Sequence, residues 1–325
     1  MKRGFSLIEV AIVLAMVGII GAAAASVCSL VLNTVKNTKA LASLNTRAQQ
    51  PLLYLQQEIQ RAGGNGMPGA AAIVVENKCA ARGELPDCAG TDRLNLFTAI
   101  DGPVCTAKAL TSTTFSFEWP QGGCCLKPAN EDGEKFRGHL MLQRGTSTAA
   151  PQWRPVHAEA SDGTSCSFTV QDVLPQALLP SGSAAMTEAD AILIEARTFY
   201  LDTATNDLWL LLDSDAPAAP GAPTVAGKRL LIANRIYDFQ VAVALDDNKD
   251  GVIASSEWAY RVLPTAATVK STAPMLVWVT DVTGIADSRG TTDTVASPLL
   301  GASVSRSGEH LRAGSLQVAP LNGVL

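Results

Sequence analysis

The stretch Asp246-Asp247-Asn248-Lys249-Asp250-Gly251-Val252-Ile253-Ala254-Ser255-Ser256-Glu257 places side-chain oxygens at positions 1, 3, 5 and 12, with glycine at position 6. Six to eight oxygens on a tightly curled loop are what a calcium ion requires, and the pattern D-x-[DN]-x-[DN]-G-x5-E supplies them. The expected ligands are Asp246, Asn248, Asp250, the Val252 carbonyl and a bidentate Glu257. Ile253 stands at position 8, an inward apolar place. Ala254 leaves position 9 to a water. Ahead of the loop, Phe239, Val241, Val243 and Leu245 alternate with smaller or polar residues, which is strand period. A strand–loop site is expected, holding a structural Ca2+. A solvated turn is the competing reading, and Glu257 argues against it.

A second chemical candidate is Glu9. From Phe5 to Leu32 it is the only charged residue in an apolar run. Such a run is longer than the roughly 20 residues that cross a bilayer as a helix, and Lys2 and Arg3 before it hold the start on the cytoplasmic side. A carboxylate at such a place is costly and therefore functional by default; a buried acid is tolerable beside a buried cation. The cysteines are Cys28, in the apolar run, and Cys79, Cys88, Cys105, Cys124, Cys125 and Cys166. Six outside the membrane suggest disulfides, with 15 pairings open. Zinc is disfavoured because no C-x-x-C and no nearby histidine has ligand spacing. The chain has three histidines, His139, His157 and His310, and neither H-E-x-x-H nor G-x-S-x-G. An enzyme is not expected.

These groups need elements to hold them. The chain has 325 residues, 47% hydrophobic and 17% charged, which marks it as globular. Net charge is −5, and no Lys/Arg run stands out, so nucleic acid is not an expected partner. Beyond the membrane run, Leu41, Leu44, Ala48, Leu52, Leu55, Ile59 and Ala62 recur at steps of three and four, one face of a helix. Gly63 and Gly64 stop it, and Pro51 predicts a kink. Residues 5–62 would form a rod of about 87 Å at 1.5 Å per residue. From residue 70 the period changes to that of strands. Candidates are residues 72–75, 93–99, 113–119, 139–143, 165–171, 191–201, 207–212, 229–233, 235–245 and 274–281. Residues 214–227 and 282–298 read as loops. The expected fold is α+β: a long N-terminal transmembrane and amphipathic helix packed on a mostly antiparallel sheet domain. Segments 5–32 and 33–62 are membrane helix and stem, and 63–325 is an extracytoplasmic β-rich domain. That domain contains a cysteine-rich region, 79–166, and the calcium-type loop, 246–257.

Gly4-Phe5-Ser6-Leu7-Ile8-Glu9 resembles the processing motif of type IV prepilins. The resemblance implies that residues 1–4 are a leader, that a prepilin peptidase cuts between Gly4 and Phe5, and that Phe5 becomes a methylated terminus. Glu9 would then pair with the terminal amine of a neighbouring subunit. Glu58-Ile59-Gln60-Arg61-Ala62-Gly63 and the run Tyr237-Asp238-Phe239-Gln240-Val241 ahead of the Asp246 loop resemble PilW-type minor pilins. That likeness implies a pilin-like fold and a role in initiating and assembling a type IV pilus. The implied partners are other minor and major pilins, the peptidase, the inner membrane and the pilus assembly machinery. The location implied is a single pass in the inner membrane with the domain in the periplasm, then the pilus at the cell surface. A J-type pseudopilin of type II secretion and an adhesin-like tip protein are the alternatives. Residues 79–190 resemble no named family.

Overall fold

In a computed structural model, the described residues are 7–64, 67, 69–77, 85, 90–144, 152–212, 228–245, 253–254, 257–259, 275–286, 292–297, 299 and 303–319. The chain divides into two compact units, Met1–Arg47 and Ala48–Leu325. One helix, α1 (Leu7–Arg61), runs through both. Its end is set by Gly63 and Gly64, whose φ angles of 94° and 102° lie where only glycine is at ease. The Gly63 N–H donates to the Phe97 carbonyl and its own carbonyl accepts from Ala99, so the helix exit is tied to a strand.

The strands of the second unit follow in chain order. β1 (Ile73–Asn77) pairs antiparallel with β2 (Asp92–Ala99). There follow β3 (Cys105–Ala109), β4 (Thr114–Phe117), β5 (Arg137–Arg144), β6 (Gln152–Ala160) and β7 (Ser167–Asp172). The long β8 (Glu188–Asp202) is the spine of the fold. Its first half pairs with β3 on one edge and β5 on the other. Its second half pairs with β2 and with β9 (Asp207–Leu212). β10 (Lys228–Asn234) continues that sheet beyond β9.

Followed round, β8–β3–β4–β7–β6–β5 returns to β8, and every pairing is antiparallel. This is a closed six-stranded barrel. Side chains alternate across its wall, as strand geometry requires. Leu140, Leu142, Val156, Ala158, Phe168 and Val170 fill the inside. Met141, Trp153 and Ile192 face outward onto the second core.

That second core lies between the stem part of α1, the β1-β2-β8-β9 face and a four-stranded sheet. The latter comprises β11 (Ile236–Leu245), β12 (Trp258–Ala259), β13 (Met275–Ala286) and β16 (Glu309–Val318), in the order β12-β11-β13-β16. A hairpin, β14 (Thr292–Ala296) with β15 (Ser303–Ser307), lies beside it. Arg235, at a left-handed φ of 57°, turns the chain from β10 into β11. Asp92 accepts from the Val241 N–H at 2.7 Å and Gln240 donates to the Gly90 carbonyl at 2.8 Å, bonding the two sheets.

The long apolar N-terminal helix and the mostly antiparallel sheet domain agree with the α+β expectation. Several details differ, and β3, β12, β15 and β16 fall outside the strands expected from the sequence. Leu41, assigned to the apolar stripe, is exposed, while Leu44, Ala48, Leu52, Leu55, Ile59 and Ala62 are buried. Residues 282–298, read as a loop, carry the end of β13 and all of β14. Polar β-branched residues such as Thr292 and Thr294 build that hairpin, both faces of which are largely in solvent, so no apolar alternation marks it. β6 escaped sequence reading because Pro155 interrupts it; Pro155 still offers its carbonyl to Val173. Residues 214–227 lie outside the described residues.

Candidate functional site

Glu9 falls within α1, although its side chain lies outside the described residues, as do Gly4 and Phe5. Around it the helix is apolar on all sides. Leu7, Ile8, Val10, Ile12, Val13, Leu14 and the large residues onward to Leu32 are all exposed in the isolated chain. Each such side chain left in water forgoes about 1.5–3 kcal/mol. A helix apolar all round belongs in lipid or among other helices. By length and composition this one can cross a membrane. Its hydroxyls suit that setting: Ser26 donates to the Ala23 carbonyl and Thr34 to that of Leu30, so neither needs a partner from outside.

The stem part of α1 is held by polar as well as apolar contacts. Glu58, 5% exposed, sits in the apolar stripe beside Ile59. Arg197 of β8 donates to it, and the same guanidinium holds both oxygens of Glu195 at 2.9 Å. Burial, helped by the neighbouring Glu58 carboxylate, pushes the Tyr54 hydroxyl up from its ordinary pKa. Farther along, a Cβ on Gly314 of β16 would lie 2.8 Å from Leu52 Cδ1 and 3.0 Å from the Ala48 carbonyl. Glycine is therefore what lets the helix approach the sheet there. Asp281 of β13 lies at the same point. Its Oδ1 accepts from the Gly314 N–H at 3.1 Å, and its Oδ2 has no partner among the described residues. Burial raises this carboxyl to about 8, and nearby Asp238 adds to the effect. Sequence reading missed Arg197 and Asp281 as anchors. The signal was there: Glu195 and Arg197 stand at i and i+2 in the mostly apolar stretch Ala191–Leu201 of β8, and Asp281 interrupts a run of Leu, Val and Trp.

Of the six candidate cysteines, four are joined as Cys105–Cys125 and Cys124–Cys166, with Cα separations of 5.8 and 5.0 Å. Adjacent Cys124 and Cys125 thus tie one loop to the start of β3 and to the entry of β7, at one end of the barrel. Cys79 and Cys88 lie outside the described residues. Cys28 is free and exposed on the apolar helix. His139 and His157 meet as a buried cross-strand pair, ring centroids 5.1 Å apart, and Arg137 Nε donates to His157 Nε2. His310 lies apart from them, on β16.

Asp246, Asn248, Asp250 and Val252 lie outside the described residues. The frame that would carry them is on view. Ala244 pairs with Trp258, so β11 and β12 bring the two ends of the loop together. Glu257 folds back, its Oε2 accepting from the Ala254 N–H at 2.7 Å. A carboxylate turned into its own loop from position 12 fits a loop-closing ligand. No cluster of three His, Cys, Asp or Glu able to hold a metal occurs among the described residues.

Residues 1–25 match the family model described as the prokaryotic N-terminal methylation motif. A leader of this kind supports a type IV pilin-type protein, pilin or pseudopilin, and implies cleavage by a prepilin peptidase. No curated protein and no solved structure matches the chain.

Proposed function

We propose that this chain is a minor pilin of the PilW class that helps to initiate and assemble a type IV pilus. The observation that carries the reading is the methylation-motif leader with a lone carboxylate, Glu9, in the apolar helix behind it. The helix enters the inner membrane with the β domain in the periplasm, and later passes into the filament. Peptidase cleavage after Gly4 frees the Phe5 amine. Glu9 of one subunit then meets that cation on a neighbour, the pairing that makes a carboxylate tolerable in lipid. The chemistry is assembly rather than turnover.

Mass spectrometry of the mature chain is expected to find N-methylated phenylalanine, Phe5, at the start. Glu9→Ala is expected to lose other pilins from membrane pull-downs and to lower pilus number. Retention of both would remove Glu9 as the assembly contact. A J-type pseudopilin uses the same leader, and secretion genes alongside, without pilus genes, would favour it. The twelve-residue loop supports a structural Ca2+ held by Asp246, Asn248, Asp250, the Val252 carbonyl and Glu257, which would stiffen the join between β11 and β12.

The disulfide-pinned barrel favours one further reading, an adhesive module at the pilus tip. Ala99 of β2 is the direct cross-strand partner of Ile194 of β8, so a short hairpin turn can replace the barrel between them. If that excision abolishes attachment but leaves pili in place, adhesion is supported. Loss of all pili supports initiation instead.

A further inference from the structure

Resting on the membrane-crossing part of the reading above, we infer that Lys36 and Lys39 form a headgroup site, a pair of cations that holds anionic phospholipid where α1 leaves the bilayer. From Phe5 to Val35 the chain has no lysine or arginine, and large apolar side chains are exposed as far as Val35. Lys36 is the first charged residue after Glu9. Wherever the hydrocarbon ends, its ammonium is therefore the first to reach the headgroups.

Lys39 follows one turn later, about 4.5 Å along the axis at 1.5 Å per residue and on the same face. Both side chains are exposed, and neither has an ion-pair or hydrogen-bond partner among the described residues. The hydroxyls beside them are engaged within the helix, Thr34 with the Leu30 carbonyl and Thr38 with that of Thr34. The two ammonium groups are the charge that this face offers. A lysine stem is long enough to keep its methylenes on apolar surface while the ammonium reaches a phosphate.

The distribution of charge names the occupant. Between Glu9 and Glu58 the chain has no aspartate or glutamate, so no nearby carboxylate of the helix neutralises the pair. Residues 48–325 are the opposite, with 20 Lys and Arg against 29 Asp and Glu. An anionic leaflet repels that part of the chain and attracts cations set at the membrane surface. The fitting ligand is a phosphodiester without a compensating cation, as in phosphatidylglycerol. The choline of phosphatidylcholine cancels the charge that the lysines would meet. Peptidase cleavage after Gly4 sharpens the role, because it removes Lys2 and Arg3. Lys36 and Lys39 then hold the helix at its depth, and their phosphate contacts break as the subunit enters the filament.

The test uses the full-length chain in vesicles, with Lys2→Gln and Arg3→Gln so that Lys36 and Lys39 are the cations next to the apolar run. Electron spin resonance compares spin-labelled phosphatidylglycerol with spin-labelled phosphatidylcholine for residence against the protein. Phosphatidylglycerol is expected to be preferred about fivefold or more, the factor that one lysine at an anionic surface supplies. Adding Lys36→Gln and Lys39→Gln is expected to bring the ratio to about one, whereas Lys36→Arg with Lys39→Arg keeps it. Equal residence of the two lipids, or a preference that survives the glutamine pair, overturns the headgroup site. The membrane reading then still stands if the chain stays in the vesicles under an alkaline wash. No lipid preference, together with loss of other pilins from pull-downs of the glutamine pair in cells, assigns the lysines to an acidic neighbour and also overturns the site. A chain washed out of the vesicles overturns the membrane-crossing reading, and the headgroup site with it.

Discussion

The barrel core takes its buried side chains from Cys105 to Ala191, whereas the core under the stem helix gathers residues from Leu52 to Val318. The first is a contiguous piece of chain that closes on itself; the second exists only when distant segments meet. Their fastenings differ accordingly. The barrel carries both of the disulfides among the described residues, at one end, and an Arg154–Asp172 ion pair at the other. The helix-bearing half relies on buried polar links: Arg93 to Glu76 at 3.1 Å, Asn95 to Glu76 at 2.8 Å, and Thr198 to Asn95 at 2.9 Å. A barrel of roughly 90 residues buries too little surface to hold itself generously, and cross-links compensate. The difference marks the barrel as an insertion into the larger sheet, one whose outward residues Met141 and Trp153 also pack on the second core.

The sharpest way to break that comparison is to remove the cross-links. Replacing Cys105, Cys124, Cys125 and Cys166 by Ser releases loops worth about 3 and 4 kcal/mol in the chain-entropy account, as much as many small domains possess. Hydrogen exchange is expected to reach the amides of β3–β7 while those of β11 and β13 stay protected. Simultaneous loss of protection in both halves would show a single cooperative unit. Next in size is Arg93→Ala, which strands Glu76 in the core of the other half. A loss of about 3–5 kcal/mol in chemical denaturation is expected, centred on β1, β2 and β8. A loss under about 1 kcal/mol, the size of an exposed ion pair, would deny the network its role.

The same division explains what could be read from the sequence. The helix, its glycine stop and strands β8–β11 were legible, because strong periodicity and left-handed glycines are local signals. The barrel was not. Strands β4, β5, β7 and β8 were each expected, but β3 and β4 hold only five and four residues, and closure depends on β5 and β3 finding opposite edges of β8. Nothing local in Cys105-Thr106-Ala107-Lys108-Ala109 announces that partnership. The cysteines pointed to the right region, but their pairing is set by where barrel strands begin. At the candidate site, Glu9 could be singled out from its apolar setting alone. Arg197 and Asp281 became interpretable only once Glu58 and Gly314 were seen against them.

A smaller effect belongs to Asp281, whose carboxyl is raised to about 8. The folded chain holds that proton and the unfolded chain releases it near the ordinary value of about 4. Stability therefore falls as pH rises from about 4 to about 8 and levels off above. At pH 6 the deficit is about 3 kcal/mol, at 1.4 kcal/mol for each of about two units. Asp281→Asn is expected to flatten the profile over this window and to raise stability near pH 7. An unchanged slope in the variant would mean that the acid is ionised beneath the helix. Because Asp281 faces Gly314 and the stem, the barrel strands should show no matching pH response.

Calcium is the finest of these probes, and it too should respect the boundary between the halves. A loop binding at about 1 mM gains about 1 kcal/mol from 10 mM calcium. For a domain of this size that is a rise of about 2–4 °C in melting temperature. The gain should appear in the four-stranded sheet, because Ala244 and Trp258 frame the loop, and be absent from the barrel. Glu257→Gln removes the bidentate closure and is expected to abolish the shift, as is Asp250→Ala, which removes a ligand oxygen. Magnesium at the same concentration is the control, since a smaller ion that keeps its waters does not fill a loop of this length. An equal rise with magnesium would reduce the effect to ionic strength. Protection spreading into β3–β7 would instead show that the barrel and the helix-bearing half share one stability.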